Sequence, residues 1–249
     1  MREAANWAGK RYWLVGASAG LGAALARVMV KAGAHVVLSA RPGQSLDALA
    51  QELGPSATAL PMDVTNEASV AQAAYAAGAA GAIDGVVYLA GVYWPMAAQG
   101  WHPVQATAMV DVNLTGLMRV LGHVVPQMVA RDQGHIVITG SLSAFRGLPG
   151  SVGYTASKAG ALSLAECLYA DLRRTGVRVQ VVNPGFIKTR LTDKNDFAMP
   201  FIMTADHAAQ RMFAHMQGRR FKASFPRRFA WVFRLGQLLP DALYFRLFS

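Results

Sequence analysis

Tyr154 and Lys158 stand four residues apart in the stretch Ser151-Val-Gly-Tyr-Thr-Ala-Ser-Lys158. In a helix that spacing puts both side chains on one face, one turn apart. A free phenol titrates near pH ~10, so its phenolate is scarce near neutrality. A fixed ammonium nearby favours the phenolate and lowers that pKa. A tyrosine tuned in this way passes a proton to or from an alcohol oxygen. The pair alone is a common coincidence, and its meaning depends on the elements around it.

A second chemical signal lies near the start of the chain. The short apolar run Tyr12–Val15 leads into Gly16-Ala-Ser-Ala-Gly20-Leu-Gly22. Leu21, Leu25, Val28, Met29 and Ala32 then recur at helical spacing, with Gly33 as a stop, and His35–Ser39 reads as a second strand. This is a βαβ unit with a glycine-rich first turn. Such a turn lets the backbone approach a pyrophosphate, and the helix N-terminus supplies free N–H groups. The spacing differs from G-x-G-x-x-G, so a tight turn without a ligand is the plain alternative. The second strand ends in Ser39, Ala40 and Arg41, with no acidic residue to hold a ribose 2′-hydroxyl. A guanidinium there pairs with a 2′-phosphate, which favours NADP(H) over NAD(H). An ordinary solvated arginine is the alternative.

The same alternation continues along the chain. A helix carrying Leu46, Leu49 and Leu53 is expected, capped by Ser45 and closed by Gly54-Pro55. Ala57–Met62 is a third strand, followed by Asp63-Val64, where Asp63 meets an adenine edge or caps a turn. Glu67–Ala80 is helical by propensity. Gly85–Gly91 is a fourth strand and its turn, and Tyr93-Trp94-Pro95-Met96 form a loop that lines a pocket or packs. Val104–Ala130 is helical with Asn113 in its middle, a poor position for an amide that competes for backbone hydrogen bonds. Asn113 is either a satisfied buried amide or the mark of a distorted helix holding a water. His135–Gly140 and Arg178–Val182 are strands five and six, ending at Ser141 and at Asn183-Pro184-Gly185. The expected architecture is α/β: one domain over residues 1–249, a doubly wound parallel sheet with right-handed crossovers and helices on both faces. Ligands bind at the carboxyl edge of such a sheet, where Gly20, Arg41, Asp63, Gly91, Ser141 and Gly185 all fall.

Composition bounds the rest. Of 249 residues, 53% are hydrophobic and 15% charged, which suits strands buried on both faces. The single cysteine, Cys167, excludes an internal disulfide, fits a reducing, cytoplasmic setting, and reads as a small buried hydrophobe. Met1–Lys10 shows no apolar core of a signal peptide, and no uninterrupted apolar run reaches the ~18–20 residues of a membrane span. The formal charge of +10 suits phosphates, acidic substrates or an anionic membrane surface. No zinc-ligand spacing or aromatic RNA-binding motif accompanies it, so neither a metal nor nucleic acid is expected.

Taken together, Gly16-x-x-x-Gly20-x-Gly22, Asp63-Val64, Ala90-Gly91, Asn113, Ser141, Tyr154-x-x-x-Lys158 and Pro184-Gly185 follow one another in an order that resembles the short-chain dehydrogenase/reductase family. The resemblance runs from about Tyr12 to Thr189. It implies hydride transfer between a nicotinamide and a small-molecule carbonyl or alcohol. Asn113, Ser141, Tyr154 and Lys158 are the implied catalytic residues. Ser141 and Tyr154 would bind the carbonyl oxygen, Lys158 would lower the Tyr154 pKa and hold the ribose, and Asn113 would position a water. The implied cofactor contacts are Gly16, Ser18, Ala19, Gly20, Leu21, Gly22, Ser39, Arg41, Asp63, Val64, Ala90, Gly91, Tyr154, Lys158, Pro184, Gly185, Ile187 and Thr189. The turn after strand four departs from the family: Tyr88-Leu89 stand where Asn-Asn is usual, so the hydrogen bonding that steadies it is in question. No Asp-Gly-Gly ending follows a last strand. The usual tetramer is therefore in question, whereas a homodimer through the helices of Asn113 and Tyr154 is expected.

Beyond Thr189 the reading rests on pattern. Leu191–Met203 carries Phe197, Met199, Phe201, Ile202 and Met203 and is placed as a mobile lid (191–203) over an apolar, lipid-like substrate. Thr204 caps a helix reaching Gln217, and Phe221–Phe225 is a last strand. The tail, 226–249, is a helical extension with Arg227, Arg234 and Gln237 on one stripe and Trp231, Leu235 and Leu238 turned partly away. Basic residues beside aromatics suit peripheral contact with a membrane interface, and packing on the domain or on a partner subunit is the alternative. Two rival functions stand beside the oxidoreductase: a catalytically silent dinucleotide-binding sensor, and a membrane-docked scaffold on the same fold.

Overall fold

A computed structural model of the protein describes residues 7–248; Met1–Asn6 of the segment read for a leader, and Ser249 of the tail, lie outside the described residues. Seven parallel strands form one sheet in the order β3-β2-β1-β4-β5-β6-β7. They are β1 Arg11–Val15, β2 His35–Ser39, β3 Ala57–Ala59, β4 Gly85–Tyr88, β5 Gly134–Thr139, β6 Val177–Pro184 and β7 Lys222–Phe225. The helices between them are α1 Gly20–Lys31, α2 Gln44–Leu53, α3 Glu67–Ala79, α4 Pro103–Val110, α5 Gly116–Ala130, α6 Val152–Leu172 and α7 Ala205–Met216. The tail adds α8 Arg227–Gly236 and α9 Asp241–Phe248.

The strands read as unbroken apolar runs because both sheet faces are covered. Along β1, Trp13 and Val15 enter one hydrophobic cluster with residues of α3, α5 and α6. Tyr12 and Leu14 enter the other with residues of α1, α2 and α7. The period-2 alternation thus divides two cores rather than core from solvent.

Several boundaries moved. The helix capped in expectation by Ser45 starts two residues earlier, with Gly43 at its N-cap and no side-chain cap. The third strand is three residues long. Its pairing with β2 nonetheless runs on past Ala59, through Leu60 N–H to Leu38 O and Met62 N–H to Ala40 O. Asn66, not singled out before, caps α3 by accepting from Ser69 N–H. Thr204 caps α7 through His207 N–H as expected. Cys167 is exposed, not buried: it lies where α6 turns its face away from the sheet. The run Pro103–Ala130 is long and apolar enough by mean hydropathy to cross a membrane, although polar residues interrupt it. Here it is a core helix, with Leu117, Val120, Leu121, Val124 and Met128 packed into the sheet.

A buried polar network ties β1, β5 and β6 together away from the carboxyl edge of the sheet. His135 Nε2 donates to Gln180 Oε1 at 2.8 Å, an assignment fixed because Gln180 Nε2 donates to the carbonyls of His215, Gly218 and Arg220. His135 Nδ1 accepts from Tyr12 Oη and from Arg178 Nη2, each at 2.8 Å. A second proton on Nδ1 would face a guanidinium inside the core. Burial, then Arg178, hold the imidazole pKa well below its usual 6.5. The unfolded chain therefore binds more protons than the folded one as pH drops below ~6.5, and stability falls in that direction. Urea unfolding from pH ~7.5 to ~5 should show a loss of up to about 1.4 kcal/mol per pH unit from this residue. His135→Gln should flatten that slope relative to the parent protein.

Candidate active site

The strand order reverses between β1 and β4, so the loops after these two strands meet at the carboxyl edge. They meet without side chains between them. A Cβ on Gly16, whose φ is +94°, would stand 2.3 Å from Ala90 N, and one on Gly22 would stand 2.2 Å from Gly16 O. A Cβ on Gly20 would touch only the Thr189 methyl, at 3.0 Å, so Gly20 and Thr189 face each other across the edge. Ala19 gives α1 no side-chain cap, and its first turn holds no acidic residue. Ser18, Ala19, Gly20, Leu21 and Gly22 thus surround a helix N-terminus whose positive end suits a phosphate. Thr139 Oγ1 and both amide atoms of Asn183, near the carboxyl ends of β5 and β6, are buried without a protein partner. A close-packed glycine turn and unpaired polar atoms fit a dinucleotide.

Arg41 is exposed just after β2, and its charge reaches the Asp63 carboxylate. Asp63 caps a turn: its Oδ1 accepts from Thr65 N–H and Oγ1, which, together with nearby Arg41 and Arg119, holds the carboxyl below its usual range. A cavity of about 380 Å3 lies between Pro42, Pro61, Met62, Asp63, Asn66 and Ser69, beside the Arg41 segment. Val64 turns its side chain into the core against Gly116. Ser39 is a correction to the cofactor set. Its hydroxyl is fully buried, accepts from the Trp13 indole and donates to Leu60 O, while its carbonyl accepts from Gly16 and Ala17 N–H. Ser39 supports the glycine turn from beneath.

Asn113, Ser141, Tyr154 and Lys158, the four residues expected to carry proton chemistry, lie at the ends of β5 and α6 and the middle of the α4–α5 run. That run is broken by one π-turn, Asp111–Thr115, centred on Asn113, the distortion expected of a mid-helix asparagine. Asn113 is buried; its Nδ2 donates to Val92 O and Ser157 Oγ, both at 3.0 Å, and its Oδ1 accepts from Val92 N–H at 2.8 Å. Both N–H groups are committed, so a water held here would sit on Oδ1 or on the main chain. A Cβ on Gly91 would lie 3.4 Å from Asn113 Oδ1 and 3.9 Å from Lys158 Nζ, which puts Gly91 between them.

Lys158 is buried, and its ammonium donates to Thr139 O at 2.9 Å. Burial pushes its pKa down to about 8. The Tyr154 ring lies 5.9 Å from Nζ and 5.0 Å from the Tyr93 ring, edge to face. Burial pushes the Tyr154 phenol up to about 12, while the hydrogen-bonded Ser141 hydroxyl pulls it down. The lowering by Lys158 expected from the spacing is not seen: burial, Ser141 and Tyr93 are what move the phenol. Ser141 Oγ accepts from Ser143 N–H and Oγ.

The loop after β4 joins Tyr154 in one apolar cluster: Val92, Trp94 and Tyr154 all pack against Met96, Ala106 and Met109. Lys194, from the segment 191–203, reaches across to it: its Nζ donates to Tyr93 O at 2.8 Å and lies 4.3 Å from the Trp94 ring. Pro184 ends β6, Gly185 N–H donates to Phe225 O, and Ile187 pairs with Met203. Gly185 also abuts the tail, since a Cβ there would meet Phe229 at 3.2 Å. Phe229 packs on Phe186 and Phe201, joining the tail to the segment 191–203.

Tyr88 was read only as a missing asparagine, yet it answers the question that its presence raised. Its buried hydroxyl donates to Val112 O at 2.6 Å, a carbonyl inside the π-turn. Gly116 leaves it room, for a Cβ there would stand 2.8 Å from the phenol oxygen. The signal was a strand-ending tyrosine paired with a glycine one turn beyond a mid-helix asparagine.

Residues 10–199 match the family model described as short chain dehydrogenase. An uncharacterized oxidoreductase of Myxococcus xanthus is 38% identical over 235 residues, 93% of each chain. A solved short chain dehydrogenase/reductase family protein is 26% identical, with a TM-score of 0.80 over 88% of this chain and 96% of its own. An actinorhodin polyketide ketoreductase solved with NADPH shares the fold at 24% identity and a TM-score of 0.79, over 87% of this chain and 95% of its own. Tyr88→Phe should strand the Val112 carbonyl, costing about 1–3 kcal/mol in urea unfolding. It should also lower kcat by loosening the π-turn that carries Asn113.

Proposed function

The chain belongs to the short-chain dehydrogenase family of oxidoreductases, which use NAD(P)(H), and from that premise we propose that it is an NADP(H)-dependent enzyme acting on a carbonyl or secondary alcohol of an apolar, lipid-like molecule. The observation that carries this reading is the meeting of the Tyr154 phenol, the Ser141 hydroxyl and the buried Lys158 ammonium at one edge of the sheet. Bound there, the cofactor supplies or takes the hydride. The turn Gly16–Gly22 and the α1 N-terminus would hold its pyrophosphate, with Ala90, Gly91, Pro184, Gly185, Ile187 and Thr189 along the same edge. Arg41 would pair with the 2′-phosphate, and the cavity beside Asp63 would take the adenine.

Ser141 and Tyr154 hold the substrate oxygen, and Tyr154 gives or takes its proton. With its pKa about 12 in the closed core, Tyr154 is a donor at neutral pH, the form that carbonyl reduction needs. Lys158 keeps the charge that tunes it and a hand for the ribose, and Asn113 keeps the loop of Gly91 in place. The segment 191–203 acts as a lid latched by Lys194, with Phe197, Phe201 and Ile202 as its apolar face. The protein works in the cytoplasm as a homodimer and meets a membrane only peripherally, through the helical extension 226–249. A dinucleotide sensor without turnover is the second reading. It is favoured by the commitment of Lys158 to Thr139 O.

Fluorescence titration with NADPH and with NADH, followed by a carbonyl screen, tests both readings. Tyr154→Phe should lower kcat by about 10²–10⁴-fold and leave NADPH affinity unchanged. Wild-type kcat in that variant would end the acid/base assignment. Arg41→Asp should move the NADPH/NADH affinity ratio toward NADH; an unmoved ratio would show that Arg41 does not read the phosphate.

A further inference from the structure

The tail is fixed to the domain on one side only. Arg146 donates to the carbonyls of Gly236 and Leu239, pairs with Asp241 and lies 4.0 Å from the Tyr244 ring. Gln237 donates to Phe145 O and Tyr244 to Gly147 O. Phe229 and Ala230 face inward with Tyr244. The opposite face is covered by nothing among the described residues. Trp231 and Leu235 on α8 and Leu238 in the turn that follows are 55%, 56% and 80% exposed; Phe245 and Leu247 on α9 are 50% and 63% exposed. Phe201 of the lid, 57% exposed, touches Phe229 and so continues this surface to the substrate edge.

The charges on the two helices are all but one of one sign. Arg227, Arg228, Arg234 and Arg246 are cationic, none has an ion pair among the described residues, and Asp241 is taken by Arg146. A second copy docked face to face would set arginines against arginines, with like charges opposed. A nucleic acid would neutralise the arginines but leave Trp231, Leu235 and Leu238 against water. An anionic bilayer surface satisfies both: phosphates for the guanidinium groups, and the acyl boundary for the apolar side chains.

We propose that the outer face of α8 and α9, continued by the lid at Phe201, is a docking surface for anionic membrane lipid, and that the substrate edge opens beside the bilayer. The proposal deepens the peripheral-membrane reading above and rests on it. It does not depend on turnover.

The test uses the full chain with vesicles of phosphatidylcholine alone and of phosphatidylcholine with phosphatidylglycerol, read by co-sedimentation. Binding should be confined to the anionic vesicles and weaken with salt. Exchanging Arg227, Arg228 and Arg246 for Gln should lower the partition about a hundredfold, and exchanging them for Lys should largely restore it. Leu235→Ser with Leu238→Ser should lower it about tenfold or more. NADPH titration and thermal melting of each variant should match the parent. Equal partition into both vesicle types, or none, overturns the proposal. So does a dimer that the Leu variants split with partition unchanged, or binding to duplex DNA in place of vesicles. A chain that docks on vesicles but fails to bind NADPH would sink the oxidoreductase reading and leave this one standing.

Discussion

One buried amide holds the site in register. Asn113 binds both backbone atoms of Val92, at the start of the loop after β4, and donates to Ser157, the residue before Lys158. Three elements that are far apart in sequence are thereby set within hydrogen-bond tolerance. An α-helix through this region would turn the amide elsewhere, so the π-turn is the backbone cost of the clamp. Tyr88 bonds to the Val112 carbonyl in that turn from the neighbouring strand. A strand end, a helix irregularity and the start of α6 are therefore one mechanical unit.

Around this unit the charge is handled by burial rather than by pairing. Lys158 sits among apolar and amide groups, with one carbonyl for its ammonium, and Tyr154 is enclosed with Tyr93 and Ser141. Desolvation moves the two groups toward their neutral forms, the lysine down and the tyrosine up. Their pKa values are thereby driven apart, to about 8 for the lysine and about 12 for the tyrosine, and the phenol keeps its proton across that interval.

Much of this was legible in the sequence because the periodicities are strict. Continuous apolar runs alternating with helical spacing give a parallel sheet almost without choice, and the residues just after each strand must then share an edge. The mid-helix Asn113 signalled a distortion correctly, because an amide that competes with the helix ladder needs a reason to be there. What was not legible depends on which way a side chain points. Ser39 and Arg41 are two residues apart, yet Ser39 is spent on Trp13 and Leu60 beneath the turn while Arg41 stands in solvent. Cys167 falls on the outward side of α6, which its surrounding apolar residues did not reveal. The Tyr154 shift took the opposite sign from the charge-pair argument, since spacing reports the ammonium but not the depth of burial.

The attachment of the tail has a further consequence. The family match ends at residue 199; beyond it α7 belongs to the core, while α8 and α9 are hydrogen-bonded to a short stretch, Phe145–Gly147, mainly through one guanidinium. Asn113, Tyr154 and Lys158 take no part in those hydrogen bonds. Such an arrangement lets inheritance treat the end of the chain as an exchangeable part. Drift or recombination can recast the tail while Asn113, Tyr154 and Lys158 stay where they are, so long as an arginine remains to receive whatever replaces it.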